Sequence, residues 1–199
     1  IDALNLESLI DQRILKKKFK IDVKKFFLLL IQHPVTSELN STKQIKESIK
    51  AIKESNIQHL IVYPNNDAGS KFILKEIKKA NLNHVSTLNL SEYKSLLNGK
   101  MILLGNSSSG IHEASTFKVP VINIGSRQDG REKPNNIINV NYDKNEILRA
   151  IKKTTSKAFN NKIRNIKNPY GDGKSSRRII NIIKRLDLKN FNTQKKLTY

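Results

Sequence analysis

A short polar loop carries the residue types best suited to binding an anion. Ser107, Ser108 and Ser109 lie between Gly105 and Gly110, directly after an apolar run and directly before a helix-like segment. Small hydroxyl residues leave backbone N–H groups accessible, and the start of a helix adds partial positive charge. The loop is therefore a candidate phosphate cradle, although a serine N-cap at an ordinary strand-to-helix turn would give the same pattern.

Two better-defined motifs are excluded by the neighbours of these serines. Gly105 and Gly110 have the spacing of a P-loop, but Ile111 and His112 stand where that motif needs Lys followed by Ser or Thr. A nucleophile elbow needs Gly two residues on either side of its serine, whereas another serine follows Ser107 at that distance, and no later His completes the usual triad order. We therefore expect neither a nucleotide triphosphatase nor a serine hydrolase.

The composition bounds the class of protein. A chain of 199 residues with 37% hydrophobic content suits one or two domains with a real core. The absence of Cys excludes a disulfide framework and a thiolate metal site, and no apolar run approaches the roughly 18 residues of a membrane span. We expect a cytoplasmic protein with no metal and no cofactor. Because the chain opens on Ile1 and its first residues read like an interior segment, we expect it to be part of a longer protein.

The net charge of +20 raises the question of nucleic-acid binding. The basic residues are spread along the chain in small groups, and aromatic residues make up only 6% of the sequence, which leaves little for base stacking. A nucleic-acid-binding module is therefore a rival hypothesis rather than the expected function.

Amphipathic helix-like stretches alternate with short apolar runs, and each apolar run has turn-forming residues at its ends. The predicted strands are 26–31, 59–63, 84–88, 101–104, 119–124 and 137–140, and the predicted helices are 4–19, 41–54, 69–80, 91–97, 110–117, 144–156 and 174–186. This alternation predicts a doubly wound, Rossmann-like α/β fold with a parallel sheet. We expect a Rossmann-like domain over residues 1–167 and a C-terminal helical extension and tail over 168–199.

Polar loops follow the ends of four predicted strands. In a doubly wound sheet the ligand lies beyond the carboxyl ends of the strands. The loops expected to converge there are 33–38, 64–70, 105–110 and 125–132.

Five motifs in register resemble those of the hydrolysing UDP-N-acetylglucosamine 2-epimerases, over about residues 26–186. They are HPVTSE from His33, PNNDAGS from Pro64, GNSSSGIHEA from Gly105, VPVINIGSRQDGRE from Val119 and NPYGDGKSS from Asn168. The resemblance implies the C-terminal half of a glycosyltransferase-B-like enzyme, in which two Rossmann-like domains hold a UDP-sugar in the cleft between them. It also implies that the partner N-terminal domain lies outside this chain and that the protein is a homo-oligomer.

The resemblance carries several site residues onto matching positions. Ser107 and Ser108, with the backbone of Gly110, would hold the diphosphate, and Glu113 would accept hydrogen bonds from the ribose hydroxyls. His33 would donate a hydrogen bond to the phosphate or to the leaving glycosyl oxygen, as the catalytic residue of this chain.

Further assignments follow from the same resemblance. Arg127 would contact an anionic group, Asn65 the nucleotide or sugar, and the backbone of Leu88 the uracil, while Asp67 shapes its turn. The implied reaction eliminates UDP from UDP-N-acetylglucosamine and hydrates the glycal, giving N-acetylmannosamine and UDP for sialic-acid-type sugar biosynthesis. The acid/base carboxylates would come from the N-terminal domain.

Alternatives within and beyond this family stay open. A non-hydrolysing UDP-N-acetylglucosamine 2-epimerase would retain UDP on its product, although HPVT and NSSSGI resemble the hydrolysing branch. An enzyme acting on a modified UDP-sugar of the legionaminic acid pathway fits the same motifs. A glycosyltransferase of the same fold is a further candidate.

Overall fold

A computed structural model describes residues 1–38 and 40–187. Its helices are α1 (Asp2–Leu6), α2 (Gln12–Phe19), α3 (Ser41–Ser55), α4 (Ser70–Ala80), α5 (Leu90–Leu97), α6 (Ser109–His112), α7 (Lys144–Thr154), α8 (Lys157–Ile163) and α9 (Ser175–Ile183). Its strands are β1 (Phe27–Ile31), β2 (Gln58–Val62), β3 (His84–Val85), β4 (Met101–Gly105), β5 (Val121–Ile124) and β6 (Ile137–Val140).

The six strands form one parallel sheet in the order β3-β2-β1-β4-β5-β6. The chain winds outward from β1 to β3, then returns to the centre and winds the other way from β4 to β6. The strand order therefore reverses between β1 and β4, and this switch point is where doubly wound sheets leave a crevice for a ligand. The predicted Rossmann-like α/β fold is confirmed.

Alternate residues of each strand supply the two faces of the core, because successive side chains of a strand point to opposite faces. In β1, Leu28 and Leu30 pack with α3, α4 and α7, whereas Phe27 and Leu29 pack on the opposite face with α2 and α5. All four side chains are fully buried, so β1 is the centre of both layers. This burial fixes the end of β1, from which one of the candidate site loops leaves.

The prediction of a single helix over residues 4–19 is wrong. The side chain of Asp11 accepts a hydrogen bond from the Arg13 N–H at 2.7 Å and thereby caps the start of α2. Ile10, which precedes this cap, lies outside any helix, and its N–H donates to the Ser95 hydroxyl at 2.9 Å. An aspartate N-cap favours a new helix start, and here it outweighs the continuous amphipathic pattern.

The helix after the serine loop is much shorter than the predicted 110–117. α6 ends at His112, and turns carry the chain to Lys118, which has a positive φ of 57°. The Ala114 N–H donates to the Ser109 carbonyl and the Thr116 N–H to the Glu113 carbonyl, each at 3.0 Å, so the backbone leaves the α-helical hydrogen-bond pattern directly after α6. Glu113 is consequently the C-cap of α6 rather than a residue one turn inside a longer helix.

Two further differences are local. The predicted strand 84–88 pairs only at His84–Val85, and α8, which was not predicted, follows the N-cap Ser156. Other element ends shift by a few residues at most. The predicted helix 174–186 is observed as α9, and the proposed division at residue 167 stays a prediction. Across 1–38 and 40–187, no helix is both long and apolar enough to span a membrane.

Candidate functional site

Asn106 ties the loop after β1 to the loop after β4. Its side chain is fully buried, and its Oδ1 accepts a hydrogen bond from the His33 N–H at 2.7 Å. Its Nδ2 donates to the His33 carbonyl at 2.9 Å. A carboxamide can satisfy a backbone donor and a backbone acceptor at once, so one side chain fixes the main chain of His33 from both sides.

Gly105 lets these two loops approach each other. Its φ is +120°, and a Cβ built on it would lie 2.2 Å from the Ile31 carbonyl oxygen. Only glycine tolerates this backbone conformation and this contact. Gly105, the first residue of the serine motif, therefore allows the ends of β1 and β4 to lie close together at the edge of the sheet.

The His33 ring lies against the loop after β2. Its Nδ1 is 3.1 Å from both the backbone nitrogen and the side-chain Oδ1 of Asn65. The two contacts belong to different tautomers, because Nδ1 accepts from the N–H but has to donate to the oxygen. Accepting the N–H leaves the proton on Nε2. Asp67 fixes the amide of Asn65 by accepting from its Nδ2 at 2.6 Å.

The electrostatic surroundings favour a neutral His33. Burial is the main reason that the pKa of His33 lies below its usual value, and the nearby positive charge of Arg127 lowers that pKa further. Hydrogen bonding to Asn65 and the charge of Asp67 oppose this shift. At neutral pH the ring is therefore a neutral hydrogen-bond donor rather than a cation.

Arg127 joins the loop after β5 to the same point. Its Nη1 donates to the Asn106 carbonyl at 3.1 Å, and its Nη2 lies 4.0 Å from Asp67 Oδ2. The buried side chain of Gln128 also donates to the Asn106 carbonyl, at 2.8 Å. The structure thus brings the loops after β1, β2, β4 and β5 together, because Asn106 bonds His33 and Arg127 and the His33 ring contacts Asn65.

The serine loop is ordered by its own hydroxyls. Ser107 Oγ and Ser109 Oγ lie 3.0 Å apart, and the Ser109 N–H donates to Ser107 Oγ at 3.3 Å. Ser108 is the N-cap of α6 but makes no side-chain capping hydrogen bond. The simple serine-cap interpretation therefore does not account for Ser108, and its hydroxyl is not used to start the helix.

Gly110 acts sterically in the structure. Its N–H already donates to the Ser107 carbonyl at 3.2 Å, so the backbone donor expected to bind diphosphate is engaged within the loop. A Cβ on Gly110 would lie 2.9 Å from Val121 Cγ1 and 3.4 Å from Leu103 Cδ2. The missing side chain allows α6 to rest directly on β4 and β5.

Glu113 lies at the end of α6 in a partly buried position. Burial raises the pKa of this carboxyl above its ordinary value. Burial raises the pKa of the nearby Tyr93 hydroxyl, and the charge of Glu113 raises it further, while an interaction with Ser109 opposes the shift. A desolvated carboxylate without a strong donor is suited to accept hydrogen bonds from a ligand's hydroxyl groups.

Leu88 stands apart from the other candidates. It lies in the loop between β3 and α5, and its partly buried side chain packs against the core face that contains Leu96. No hydrogen bond in the described part of the chain links it to the serine loop or to His33. Any contact of Leu88 with a base would therefore have to come from its backbone.

Two site-forming residues were missed by the sequence reasoning. Asn106 was read only as part of the serine motif, and Asn168 only as part of NPYGDGKSS. Asn168 Nδ2 donates to the His112 carbonyl and to the Thr116 hydroxyl, both at 2.7 Å. The sequence offered one indication that Asn106 is important, which is its position directly after a strand predicted to be buried. In residues 1–38 and 40–187, no cluster of three or more His, Asp or Glu side chains could hold a metal ion.

The sheet order and the convergent loops define a Rossmann-like domain with a polar site at its switch point. A family model described as UDP-N-acetylglucosamine 2-epimerase matches residues 1–184. The chain therefore belongs to the UDP-N-acetylglucosamine 2-epimerase family.

Individual relatives agree with this membership. The chain is 35% identical over 181 residues to a Legionella pneumophila protein named UDP-N,N'-diacetylbacillosamine 2-epimerase (hydrolyzing), covering 88% of this chain and 47% of that protein. It is 33% identical over 160 residues to a Campylobacter jejuni protein named GDP/UDP-N,N'-diacetylbacillosamine 2-epimerase (hydrolyzing), covering 75% and 41%. The chain thus spans about half the length, or less, of these curated relatives.

Solved structures share the fold. An S. aureus MnaA–UDP co-structure matches with a TM-score of 0.68 at 20% identity, covering 100% of this chain and 55% of that one. The glycosyltransferase WaaG matches with a TM-score of 0.51 at 16% identity, covering 87% and 51%. The fold is therefore shared with the protein of the MnaA–UDP complex and with a glycosyltransferase.

Proposed function

We propose that this chain is the UDP-binding half of a hydrolysing UDP-N-acetylglucosamine 2-epimerase. The observation that carries the proposal lies at the switch point of the sheet, where Asn106 bonds both His33 and Arg127. The His33 ring in turn contacts Asn65. The names of the Legionella pneumophila and Campylobacter jejuni relatives support the hydrolysing reaction. The complete enzyme would be a cytoplasmic homo-oligomer whose other Rossmann-like domain closes over the sugar.

The proposed site stabilises a leaving group. In the reaction, a base removes the proton from C2 of the sugar, the C1–O bond breaks, and UDP departs with the bonding electron pair. Water then adds its hydroxyl to C1 of the resulting glycal, and C2 regains a proton from the opposite face, which gives N-acetylmannosamine. The base and acid are assigned to the second domain. This chain stabilises the negative charge that develops on UDP.

Each candidate has a defined task in this scheme. Ser107, Ser108 and Arg127 donate hydrogen bonds to the diphosphate oxygens, and Glu113 accepts from the ribose. Neutral His33, with its proton on Nε2, donates to the glycosyl oxygen as the C1–O bond breaks. The contact in which Nδ1 accepts from the Asn65 N–H is the one that fits this tautomer.

Binding can be tested on the 199-residue chain itself. We expect weak UDP binding in a calorimetric or NMR titration, and no turnover of UDP-N-acetylglucosamine. Because the net charge of +20 attracts any polyanion, pyrophosphate and ADP at matched salt serve as ligand controls. Ser107→Ala should weaken UDP binding, whereas Ser156→Ala, which alters the cap of the distant α8, should not. Equal affinity for UDP and pyrophosphate, or catalysis by this chain alone, would refute the half-site proposal.

The proposed activity has to be tested in the full-length protein. His33→Ala or Ser107→Ala should lower the rate by about tenfold or more, because each removes a donor to the departing UDP. Release of free UDP together with N-acetylmannosamine supports the hydrolysing reaction. Accumulation of UDP-N-acetylmannosamine would instead identify a non-hydrolysing epimerase.

A second candidate function differs from the first in the sugar of its UDP-sugar substrate. The two relatives named above are diacetylbacillosamine epimerases, which favours a substrate that carries a second acetamido group. Competition between UDP-N-acetylglucosamine and UDP-N,N'-diacetylbacillosamine, measured as the ratio of kcat/KM values, distinguishes the two substrates.

A further inference from the structure

The segment 168–174, which we call the Asn168 strap, holds the turn that carries Glu113. The strap begins at Asn168, whose side-chain amide donates to the His112 carbonyl and to the Thr116 hydroxyl, each at 2.7 Å. These contacts join residues 56 and 52 positions apart in the chain. A single amide therefore bridges the last residue of α6 and the turn that follows it.

The two acceptors bracket Glu113. The carbonyl of His112 belongs to the same peptide unit as the Glu113 N–H, so holding one fixes the other. On the other side, the Thr116 N–H donates to the Glu113 carbonyl at 3.0 Å. Since α6 has only four residues, it is too short to set the direction of Glu113 by its own hydrogen bonds.

The strap also fixes the orientation of the Asn168 amide. Asn168 Oδ1 accepts from the Tyr170 N–H at 2.9 Å, so Nδ2 has to face α6. The Tyr170 ring packs edge-on against the His112 ring with centroids 4.3 Å apart, and its hydroxyl donates to the Glu132 carbonyl at 3.0 Å. Both donors of the amide are thereby directed at the Glu113 turn.

The far end of the strap is attached to the rest of the domain. Asp172 accepts two hydrogen bonds from the Arg178 guanidinium, at 2.7 and 2.8 Å. Ser176, at the start of α9, donates to Asp2 of α1 from both its N–H and its hydroxyl, each at 2.7 Å. The strap is thus held at both ends and can transmit a fixed position to the Glu113 turn.

We propose that Asn168 is a positioning residue for nucleotide recognition, which holds the Glu113 carboxylate where it meets the ribose hydroxyls of a nucleoside diphosphate. This inference rests on the proposed function, since it takes Glu113 as the ribose contact. Asn168 itself touches the protein alone, and its effect reaches the ligand through Glu113.

Comparison of UDP with 2′-deoxy-UDP isolates the ribose contact. We expect the 199-residue chain to prefer UDP, because the deoxy compound lacks one donor to Glu113. Asn168→Ala should weaken UDP binding by about fivefold to tenfold and 2′-deoxy-UDP binding less, because the deoxy compound has only its 3′-hydroxyl to lose as a donor to Glu113. The ratio of the two dissociation constants should therefore approach one. Ligand-observed NMR well below the melting temperature measures both.

A matched control separates positioning from general stability. Asn160, in α8, also donates two hydrogen bonds from its Nδ2, to the backbone carbonyls of Thr154 and Ser156 at 2.8 and 2.9 Å. Asn160→Ala should lower the melting temperature to a similar extent as Asn168→Ala but keep the wild-type preference for UDP. Asn168→Asp gives a second variant, because it retains an acceptor for Tyr170 but cannot donate to the His112 carbonyl.

The double variant tests the route through Glu113. In a Glu113→Gln background, Asn168→Ala should cause no further loss of UDP preference, because two changes that remove one contact are not additive. An unchanged preference for UDP in both Asn168 variants would overturn the inference while leaving the proposed function intact. No UDP binding by the wild-type chain would instead refute the proposed function, and the inference with it.

Discussion

Replacement of Asn106 by Ala tests whether the loop junction creates the site. The substitution removes the acceptor of the His33 N–H and the donor to the His33 carbonyl, at 2.7 and 2.9 Å. It spares the contacts of Arg127 and Gln128, because these use the backbone carbonyl of residue 106. The perturbation is therefore confined to the link between the loops after β1 and β4.

The expected cost follows from the two lost hydrogen bonds. Each contributes a net ~0.5–1.5 kcal/mol, and a buried backbone group left unpaired costs ~1–3 kcal/mol. Because His33 is only partly buried, water can replace some of the lost partners. We expect the free energy of unfolding to fall by about 2–4 kcal/mol, and the UDP dissociation constant to rise about tenfold as His33 loses its fixed position.

Asn136 provides the matched control at the opposite edge of the sheet. It is also fully buried, and its Nδ2 donates to the Val119 carbonyl at 2.7 Å, ahead of β5. Asn136→Ala should cost about 1–2 kcal/mol of stability and leave UDP binding unchanged. Urea unfolding followed by far-UV circular dichroism suits a chain without Trp, and titration at low temperature gives the affinities. If Asn106→Ala bound UDP as tightly as Asn136→Ala, the junction would be structural only.

Two further predictions concern the cradle and Glu113. Gly110→Ala places a methyl group 2.9 Å from Val121 Cγ1, so α6 has to move off the sheet; stability should fall by about 1–3 kcal/mol with weaker UDP binding, and a stable variant with unchanged affinity would refute the steric role. Burial raises the pKa of Glu113, so lowering the pH through that raised value should protonate the carboxylate and reduce the preference for UDP over 2′-deoxy-UDP. Titrations from about pH 7.5 down to about pH 4, which is below the ordinary pKa of a glutamate, measure this, and Glu113→Gln should show no such pH dependence.

The sheet could be predicted because each strand is a compact apolar run. β1 and β4 are buried on both faces, which leaves a continuous apolar signature in the sequence. The helix ends were harder to predict, since short-range capping decides them. Asp11 divides the first predicted helix, and turns replace the helix after His112, against an amphipathic pattern that favoured longer elements.

The candidate site could be predicted only in part. The convergence of four loops follows from the sheet, and it brings Asn65 to the His33 ring and Arg127 to the Asn106 carbonyl. The contacts that hold these residues cannot be predicted from the sheet. Asn106 bonds a residue that is 73 positions away in the chain, and Asn168 bonds a residue that is 56 positions away. Asparagines in loops are common turn residues, so nothing local marks these two as partners of distant backbone groups.

The contact between Gly105 and the Ile31 carbonyl has a consequence for engineering. A Cβ at residue 105 would lie only 2.2 Å from that oxygen, so the backbone leaving β4 rests directly on the backbone leaving β1. Loop exchange with a relative would therefore need to transfer the segments after both strands together, with their shared geometry. Directed evolution of the sugar preference should randomise residues on the two loops in one combined library, because a change that suits one loop alone has to be accommodated by the other.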